Sequence, residues 1–417
     1  MFKKYITMYK KINTLCCSGL TSKLITCVRR NYSYRQHANP FLSYNFIERI
    51  NSIVGLHKND ESFIIFHPNN VINRINQWSQ FLPYIKPYYA IKCNPDINVL
   101  KIMKRYNMNY DCASKNEINK IIGMGIDSNK IIFANPSKMV DHIKFAKYNN
   151  ISLMTFDSIE ELYKIKINYP NADLILRIMV DDSQSKLKFN SKFGVEMKDV
   201  HKILSIAKLI ELNVVGISFH VGSQCNDETI YLSALETCRI VYNMALNIGY
   251  KLNIINIGGG FPGYNDYMFI KMGMNIHIGI EKYFNKIDID FIAEPGRFFA
   301  ESAYTVVAKV INKKTIIKEN IKSNIYYINE GVYGCFNNII TDKAEIYINT
   351  FKNHIPEVKC TIFGPSCDSL DCVAKDIMLP ELDVGDYIYV ENMGAYTTSC
   401  SNNFNGFPSA KVKYVMY

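Results

Sequence analysis

Pro87-Tyr88-Tyr89-Ala90-Ile91-Lys92-Cys93-Asn94-Pro95-Asp96 (PYYAIKCNPD) places an apolar run directly before a lysine. Residues 88–91 read as a short buried strand, and Asn94-Pro95 ends it. Lys92 admits two readings. One is a strand-flanking lysine whose ammonium reaches water. The other is a partly buried lysine of lowered pKa, able to form a Schiff base. The rest of the chain decides between them.

Outward from this stretch the pattern repeats. Short β-branched or apolar runs fall at 88–92, 110–113, 131–134, 151–156, 174–179, 214–219, 254–257 and 291–293. Between them lie segments of helical period, among them 98–106, 115–124, 137–148 and 230–249. Eight βα units predict an α/β fold, a TIM-type (β/α)8 barrel with its active site at the strand C-termini. The residues after the runs support this. The first ends in Lys92, the second leads to Ser114 and Glu117, and the fifth carries Arg177. The sixth runs into His220-Val221-Gly222-Ser223, the seventh into Gly258-Gly259-Gly260, and the eighth into Glu294-Pro295-Gly296-Arg297. Solvent-facing loop residues would not sort to one rim so consistently, and Lys92 therefore reads as functional.

From residue 303 the pattern changes. Runs at 304–311, 325–329, 359–363 and 387–391 lack long helices between them and are punctuated by Gly, Asn, Asp and Pro, which predicts a C-terminal antiparallel β domain. The expected organisation is a basic extension over 1–40, a segment at 41–66 contributing to the β domain, a barrel over 67–302 and the β domain over 303–417. A run at 62–66 is expected to pair into that last domain.

Composition narrows the classes. The chain has 417 residues, 48% hydrophobic and 21% charged, an ordinary globular balance. No apolar run approaches the ~18 residues of a membrane span. The net charge of +10 is concentrated at one end: residues 1–47 hold eight Lys/Arg and no acid, leaving 40 basic residues against 38 acidic ones. A nucleic-acid surface over the body is therefore not expected. Twelve scattered cysteines without a CxxC pair argue against a disulfide scaffold or a metal site, and for reduced thiols. Near the N-terminus Phe2, Tyr5, Ile6, Met8, Tyr9 and Ile12 share one helical face, with Lys3, Lys4, Lys10 and Lys11 on the other. Arg30-Asn31-Tyr32-Ser33 resembles a matrix-peptidase cleavage site. A mitochondrial transit peptide and a disordered basic tail both fit residues 1–36.

Three chemical groups stand out. Gly258-Gly259-Gly260-Phe261-Pro262-Gly263 matches G-x-G-x-x-G only weakly as a dinucleotide signature, because it follows a seventh barrel strand. Its glycines nevertheless let backbone N–H groups approach a phosphate, and Arg297 can add a clamp. Glu294, at the end of a buried strand, needs a partner such as a protonated pyridine nitrogen. His220 could stack on a ring or be an ordinary core histidine. A Schiff-base lysine, a phosphate nest and a carboxylate for a ring nitrogen together indicate pyridoxal phosphate.

The chain resembles the eukaryotic ornithine decarboxylases, of alanine-racemase-like fold, from about Pro40 to the C-terminus. The resemblance lies in YYAIKCNP, YDCASKNEI, FANPSK, LRIMVDDS, KFGVE, SFHVGSQC, NIGGGFPG, AEPGRF, GVYGCFN, GPSCDSLD, ENMGAYT and FNGF. It implies decarboxylation of L-ornithine to putrescine, the entry step of polyamine synthesis. Lys92 would hold the cofactor, Glu294 its ring nitrogen and His220 its face. Ser223, Gly258, Gly259, Gly260, Arg297 and Tyr396 would hold the phosphate, and Asp111, Glu117 and Arg177 would support cofactor and lysine. Cys367 would return a proton to Cα, entering the partner subunit's site together with Asp368. Asp342 and Asp368 would bind the far ammonium, Phe404 would line the pocket, and Lys192 and Asp371 would pair across a homodimer interface. Antizyme is an expected partner and the cytoplasm the expected location. No metal is implied.

Thr341-Asp342-Lys343 departs from a more aromatic Tyr-Asp-His version and sets a basic residue beside the site. The acidic degradation tail of some animal members is missing. Two rival readings remain: an inactive homologue resembling an antizyme inhibitor, and a decarboxylase of arginine, lysine or diaminopimelate. Retention of the cofactor-holding residues opposes the first. Against the second, relatives with those substrates typically read Cys-Glu where this chain reads Cys367-Asp368.

Overall fold

The structure is a computed structural model. It describes residues 60–414 apart from 182, 184, 188, 189, 226 and 353–355, together with 48, 50 and 52–55. The chain divides into two compact units, residues 1–57 and 58–417. In the first, the described positions are helical. The targeting reading of residues 1–36 and the expected boundary at residue 40 lie outside the described residues.

Eight parallel strands close into a barrel: Ile85–Ala90, Asn109–Cys112, Ile131–Phe133, Leu153–Phe156, Asp173–Arg177, Asn213–Ser218, Ile254–Asn256 and Asp290–Ala293. Each pairs with the next in chain order, and the eighth returns to the first with Phe291 opposite Ile85. The runs are apolar throughout because both faces are buried. Alternate residues divide the work. Tyr88, Ile132, Ile175 and Ile292 form their own apolar cluster, as inward-facing residues of different strands do, while Tyr89, Phe133, Leu174 and Leu176 join the main core.

Helix starts are written locally. Asp96 accepts from the Asn98 N–H at 2.7 Å, starting Ile97–Arg105. Ser114 accepts from the Glu117 N–H at 3.3 Å, while Glu117 reaches back to the Ala113 N–H at 2.6 Å, a near capping box that starts Lys115–Gly123. The helix expected from residue 137 begins later, as Val140–Tyr148. The preceding loop is committed elsewhere: Lys138 is buried, and its backbone N–H and Nζ both reach Glu161.

Ser185–Leu187 and Ser223–Cys225 pair as a small antiparallel ribbon, and the other described strands form an eight-stranded sheet. Its axis is the hairpin of Tyr304–Lys318 with Ile321–Ile328. Phe63–Phe66 pairs with the first of these, as the run at 62–66 suggested. Three strands have weaker sequence signals and are additions: Ile348–Thr350, Cys372–Pro380 and Lys411–Tyr414. The expectation of an antiparallel domain needs one correction. Phe63–Phe66 runs parallel to Lys411–Tyr414, and Ile321–Ile328 runs parallel to Glu357–Phe363. Parallel neighbours need a crossover rather than a tight turn. The crossover from Ile328 to Glu357 carries both Tyr333 and Asp342.

Barrel and sheet are stitched together near Lys92. Asn94 Nδ2 donates to the Gly394 carbonyl at 2.9 Å, and the Tyr396 N–H donates to the Cys93 carbonyl at 3.0 Å. Gly394 admits no side chain here, since a Cβ would run into the Ala300 carbonyl.

Candidate active site

Lys92 sits two residues past the first barrel strand, in the single tight turn Ile91–Cys93. Its Nζ lies 2.6 Å from Asp111 Oδ2, at the end of the second strand. Asp111 is buried, whereas the lysine side chain is 43% open to solvent along the barrel mouth. Burial pulls the ammonium's pKa down, but Asp111, Tyr396 and Glu294 outweigh it and the net shift is upward. This corrects the lowered pKa suggested by the sequence: the apolar strand ends among acids, and those acids keep Lys92 charged. Glu117, held by the Ala113 N–H, stands behind the pair, its carboxyl raised chiefly by burial.

Glu294 and His220 come from the eighth and sixth barrel strands. Asn256 Nδ2 donates to Glu294 Oε1 at 2.6 Å, and Gly258 accepts the Glu294 N–H at 2.8 Å. Burial and then Asp111 raise the Glu294 carboxyl above its ordinary range. His220 Nδ1 accepts from the Gly222 N–H at 3.0 Å. Burial, Arg177 and Lys92 lower its pKa well below the usual value, so the ring is neutral near pH 7. Arg177 lies 5.0 Å over the Phe193 ring, and burial lowers its pKa.

Gly258 and Gly260 have φ of +66° and +111°. That is backbone open to glycine at little cost. A Cβ on Gly260 would meet Val221 Cγ2 at 2.7 Å and the Gly222 carbonyl at 2.8 Å. The glycine turn therefore brings two rim loops together, and its first N–H, that of Gly258, is held by Asn256 Oδ1 at 2.9 Å. Arg297 faces this turn. Its guanidinium donates to Glu301 Oε1 at 2.5 Å, to Ser223 Oγ at 3.4 Å and to Asp342. Tyr396 lies with its ring 5.4 Å from the Arg297 guanidinium carbon. Its φ of +54° is strained for a non-glycine residue, as is common at functional sites.

Asp342 is buried on this side of the molecule, where Gln224 Nε2 donates to it at 3.0 Å. It pairs with Arg297; its expected partner in substrate binding, Asp368, lies in a second cluster on the sheet. There Asp368 accepts the Tyr333 phenol and the Leu370 N–H, the latter at 2.9 Å. The Tyr333 and Phe404 rings lie 4.4 Å apart, and the Cys367 N–H donates to Asn405 Oδ1 at 3.0 Å. Cys367 is exposed. Lys343, expected beside the site, is exposed as well. The Lys192–Asp371 pair is expected between two subunits, and within one chain each residue has its own setting. Asp371 is 1% exposed and accepts the Val332 and Ser366 N–H groups at 2.8 and 3.0 Å, while Lys192 lies over Phe193. Sequence reading missed Asn256, Gln224, Glu301 and Tyr333. Gln224, Asn256 and Tyr333 lie within the quoted stretches SFHVGSQC, NIGGGFPG and GVYGCFN but were given no role, and Glu301 had its i,i+4 spacing from Arg297.

The barrel cluster suits a phosphorylated pyridine aldehyde. Arg297 Nε and Asp111 Oδ1 are buried without a hydrogen-bond partner, a donor and an acceptor awaiting one. Lys92 would supply the amine, Glu294 a carboxylate for a ring N–H, and His220 a neutral aromatic face.

Comparison with known proteins gives the same picture. The family description "Pyridoxal-dependent decarboxylase, pyridoxal binding domain" matches residues 69–301. Ornithine decarboxylase of Schizosaccharomyces pombe is 40% identical over 384 residues, covering 89% of this chain and 88% of the relative. Antizyme inhibitor 2 of Xenopus laevis is 39% identical over 390 residues, covering 90% and 86%. The solved arginine decarboxylase of Paramecium bursaria Chlorella virus superposes with a TM-score of 0.85 at 35% identity, over 88% of this chain and all of that one.

Proposed function

The chain belongs to the pyridoxal-dependent decarboxylases, and from that premise we propose that its substrate is L-ornithine, which it converts to putrescine and carbon dioxide. Pyridoxal phosphate is the cofactor; when bound it supplies the sink for the electron pair left at Cα as CO2 departs. Lys92 would hold the cofactor through its amine, with Asp111 fixing that amine's position. Glu294 would accept the ring N–H, and the positive charge there would favour its ionised form. His220, neutral, offers a flat face. The glycine turn 258–260, with its Gly258 N–H anchored on Asn256 and those of Gly259 and Gly260 turned to the ligand, would hold the phosphate together with Ser223, Tyr396 and Arg297. Asp342 and Asp368 hold the far ammonium, Cys367 returns the proton to Cα, and Phe404 closes the pocket.

The observation that carries the ornithine reading is Asp368, a short acid on the exposed loop beside Cys367, with a second buried acid, Asp342, in the barrel cluster. Short acids fit a compact diamino acid. A second reading, a binding protein without turnover, draws support from the antizyme inhibitor relative. The intact Lys92–Asp111 pair and the Glu294–Asn256 bond favour an enzyme.

Release of CO2 from labelled ornithine, lysine and arginine, with and without pyridoxal phosphate, tests both. Cofactor-dependent release from ornithine is expected, with lysine slower by about 10–200-fold because one methylene is worth about 1–3 kcal/mol, and none from Lys92→Ala. Preference for arginine would overturn the substrate, and no release from any of them would leave the binding reading.

A further inference from the structure

The crossover that enters the sheet's second cluster starts with a turn, residues 330–335, fixed by two buried carboxylates. Glu330 Oε1 accepts the Gly331 and Cys335 N–H groups at 3.1 and 2.9 Å, and its Oε2 accepts the Ser62 hydroxyl at 2.7 Å. Asp371 Oδ1 accepts the Val332 N–H and its Oδ2 the Ser366 N–H. The Asp371 carbonyl accepts the Gly364 N–H at 2.8 Å. One aspartate thus ties the turn to the loop that carries Cys367 and Asp368. Its neighbours leave no slack: a Cβ on Gly331 or Gly364 would collide with its carboxylate.

Tyr333 stands between these fixed points. Its phenol donates to Asp368 Oδ2, its ring lies 4.4 Å from that of Phe404, and its carbonyl accepts the Asn402 N–H at 2.9 Å. Three segments distant in sequence therefore meet on one side chain. We propose that Tyr333 is a positioning residue: its phenol aims the Asp368 carboxylate at the far ammonium of a diamino acid substrate, and its ring sets Phe404 beside it. The inference rests on the reading that Asp368 binds that ammonium.

The physical case is one of degrees of freedom. Asp368 sits on a loop whose flanks, Cys367, Ser369 and Leu370, are exposed or half-exposed. A carboxylate there turns freely unless something fixes it. The Leu370 N–H holds Oδ1 and the phenol holds Oδ2, and each oxygen keeps a lone pair for a cation. The same two donors hold the carboxyl below its ordinary pKa, so it stays ionised when a cation arrives. Locking the turn through Glu330 and Asp371 makes the phenol a fixed reference.

Tyr333→Phe removes the phenol while keeping the ring on Phe404, so the fold is retained. Losing a hydrogen bond to a charged group should raise the KM for ornithine about tenfold, with kcat within about threefold of wild type. Cofactor affinity, read by absorbance titration, should not change. In an Asp368→Asn background the same substitution should add nothing further. If Asp368→Asn leaves ornithine kinetics unchanged, the assignment of Asp368 falls and this inference with it. If Asp368→Asn raises KM but Tyr333→Phe does not, or if the Tyr333→Phe penalty persists in the double variant, Tyr333 alone loses its role.

Discussion

Asn256 shows how one buried amide can serve two ends of a site. It is fully buried; Nδ2 donates to Glu294 Oε1, and Oδ1 accepts the Gly258 N–H at 2.9 Å. The carboxylate for the ring nitrogen and the first glycine of the phosphate-facing turn thus share one anchor. Asn256→Ala strips both bonds. Glu294 loses a donor that lowers its pKa, so its carboxyl should rise further and ionise less readily. Pyridoxal phosphate binding should weaken about 10–100-fold, equivalent to ~1.5–3 kcal/mol for a hydrogen bond to a charged group. Absorbance titration of apoenzyme measures this, and an unchanged dissociation constant would remove Asn256 from the cofactor's support.

At the scale of elements, His67 joins helix Pro68–Phe81 to the sheet. Its N–H donates to the Ala303 carbonyl at 2.8 Å, and its Nε2 meets Thr305 Oγ1 at 3.0 Å. Burial lowers its pKa to about 4. The unfolded chain therefore takes up a proton near pH 6.5 while the folded chain resists until about pH 4. Stability is full above the unfolded value and falls as pH drops through this window, by about 2 kcal/mol between pH 7 and pH 5 from His67. The lowered pKa of His220 acts in the same direction. Calorimetric Tm values should drop over that range, and His67→Gln should make the drop shallower. Equal slopes would mean that His67 is not a source of the acid sensitivity.

For the whole molecule, the decisive fact is that the candidate groups form two clusters. Lys92, Asp111, Glu294, Arg297 and Asp342 gather at the barrel mouth, while Cys367, Asp368, Tyr333 and Phe404 gather on the sheet. A two-fold dimer that sets the sheet cluster of one chain into the barrel mouth of the other would complete two equal sites. Lys92→Ala and Cys367→Ala should each be nearly inactive. Mixed under exchanging conditions, random pairing makes half the dimers hybrids, each with one intact site, so activity should return to about 25% of wild type. If Cys367 served its own chain's Lys92, mixing would restore nothing.

The barrel was legible from its sequence because its evidence is local. Eight apolar runs at βα spacing, Ser114 three residues before Glu117, and glycines at the positive φ of 258 and 260 all report backbone preferences within a few residues. Reactive residues could be sorted to one rim because a parallel barrel aligns its strand ends. Partners were not legible. Periodicity says nothing of Asn94 meeting Gly394 300 residues away, of Arg297 gripping Asp342, or of Asp371 turning inward. Nor could it show that acids around Lys92 would outweigh burial and raise its pKa. Those outcomes depend on which buried charges face one another once the chain has closed. Two strands went parallel for a similar reason: their partners arrive by crossovers rather than turns. Sequence by itself determined the barrel strands, the rim and the chemistry carried on it. Tertiary structure alone decided the pairings, because electrostatic and hydrogen-bond partners are set by distance in space, on which local sequence pattern is silent.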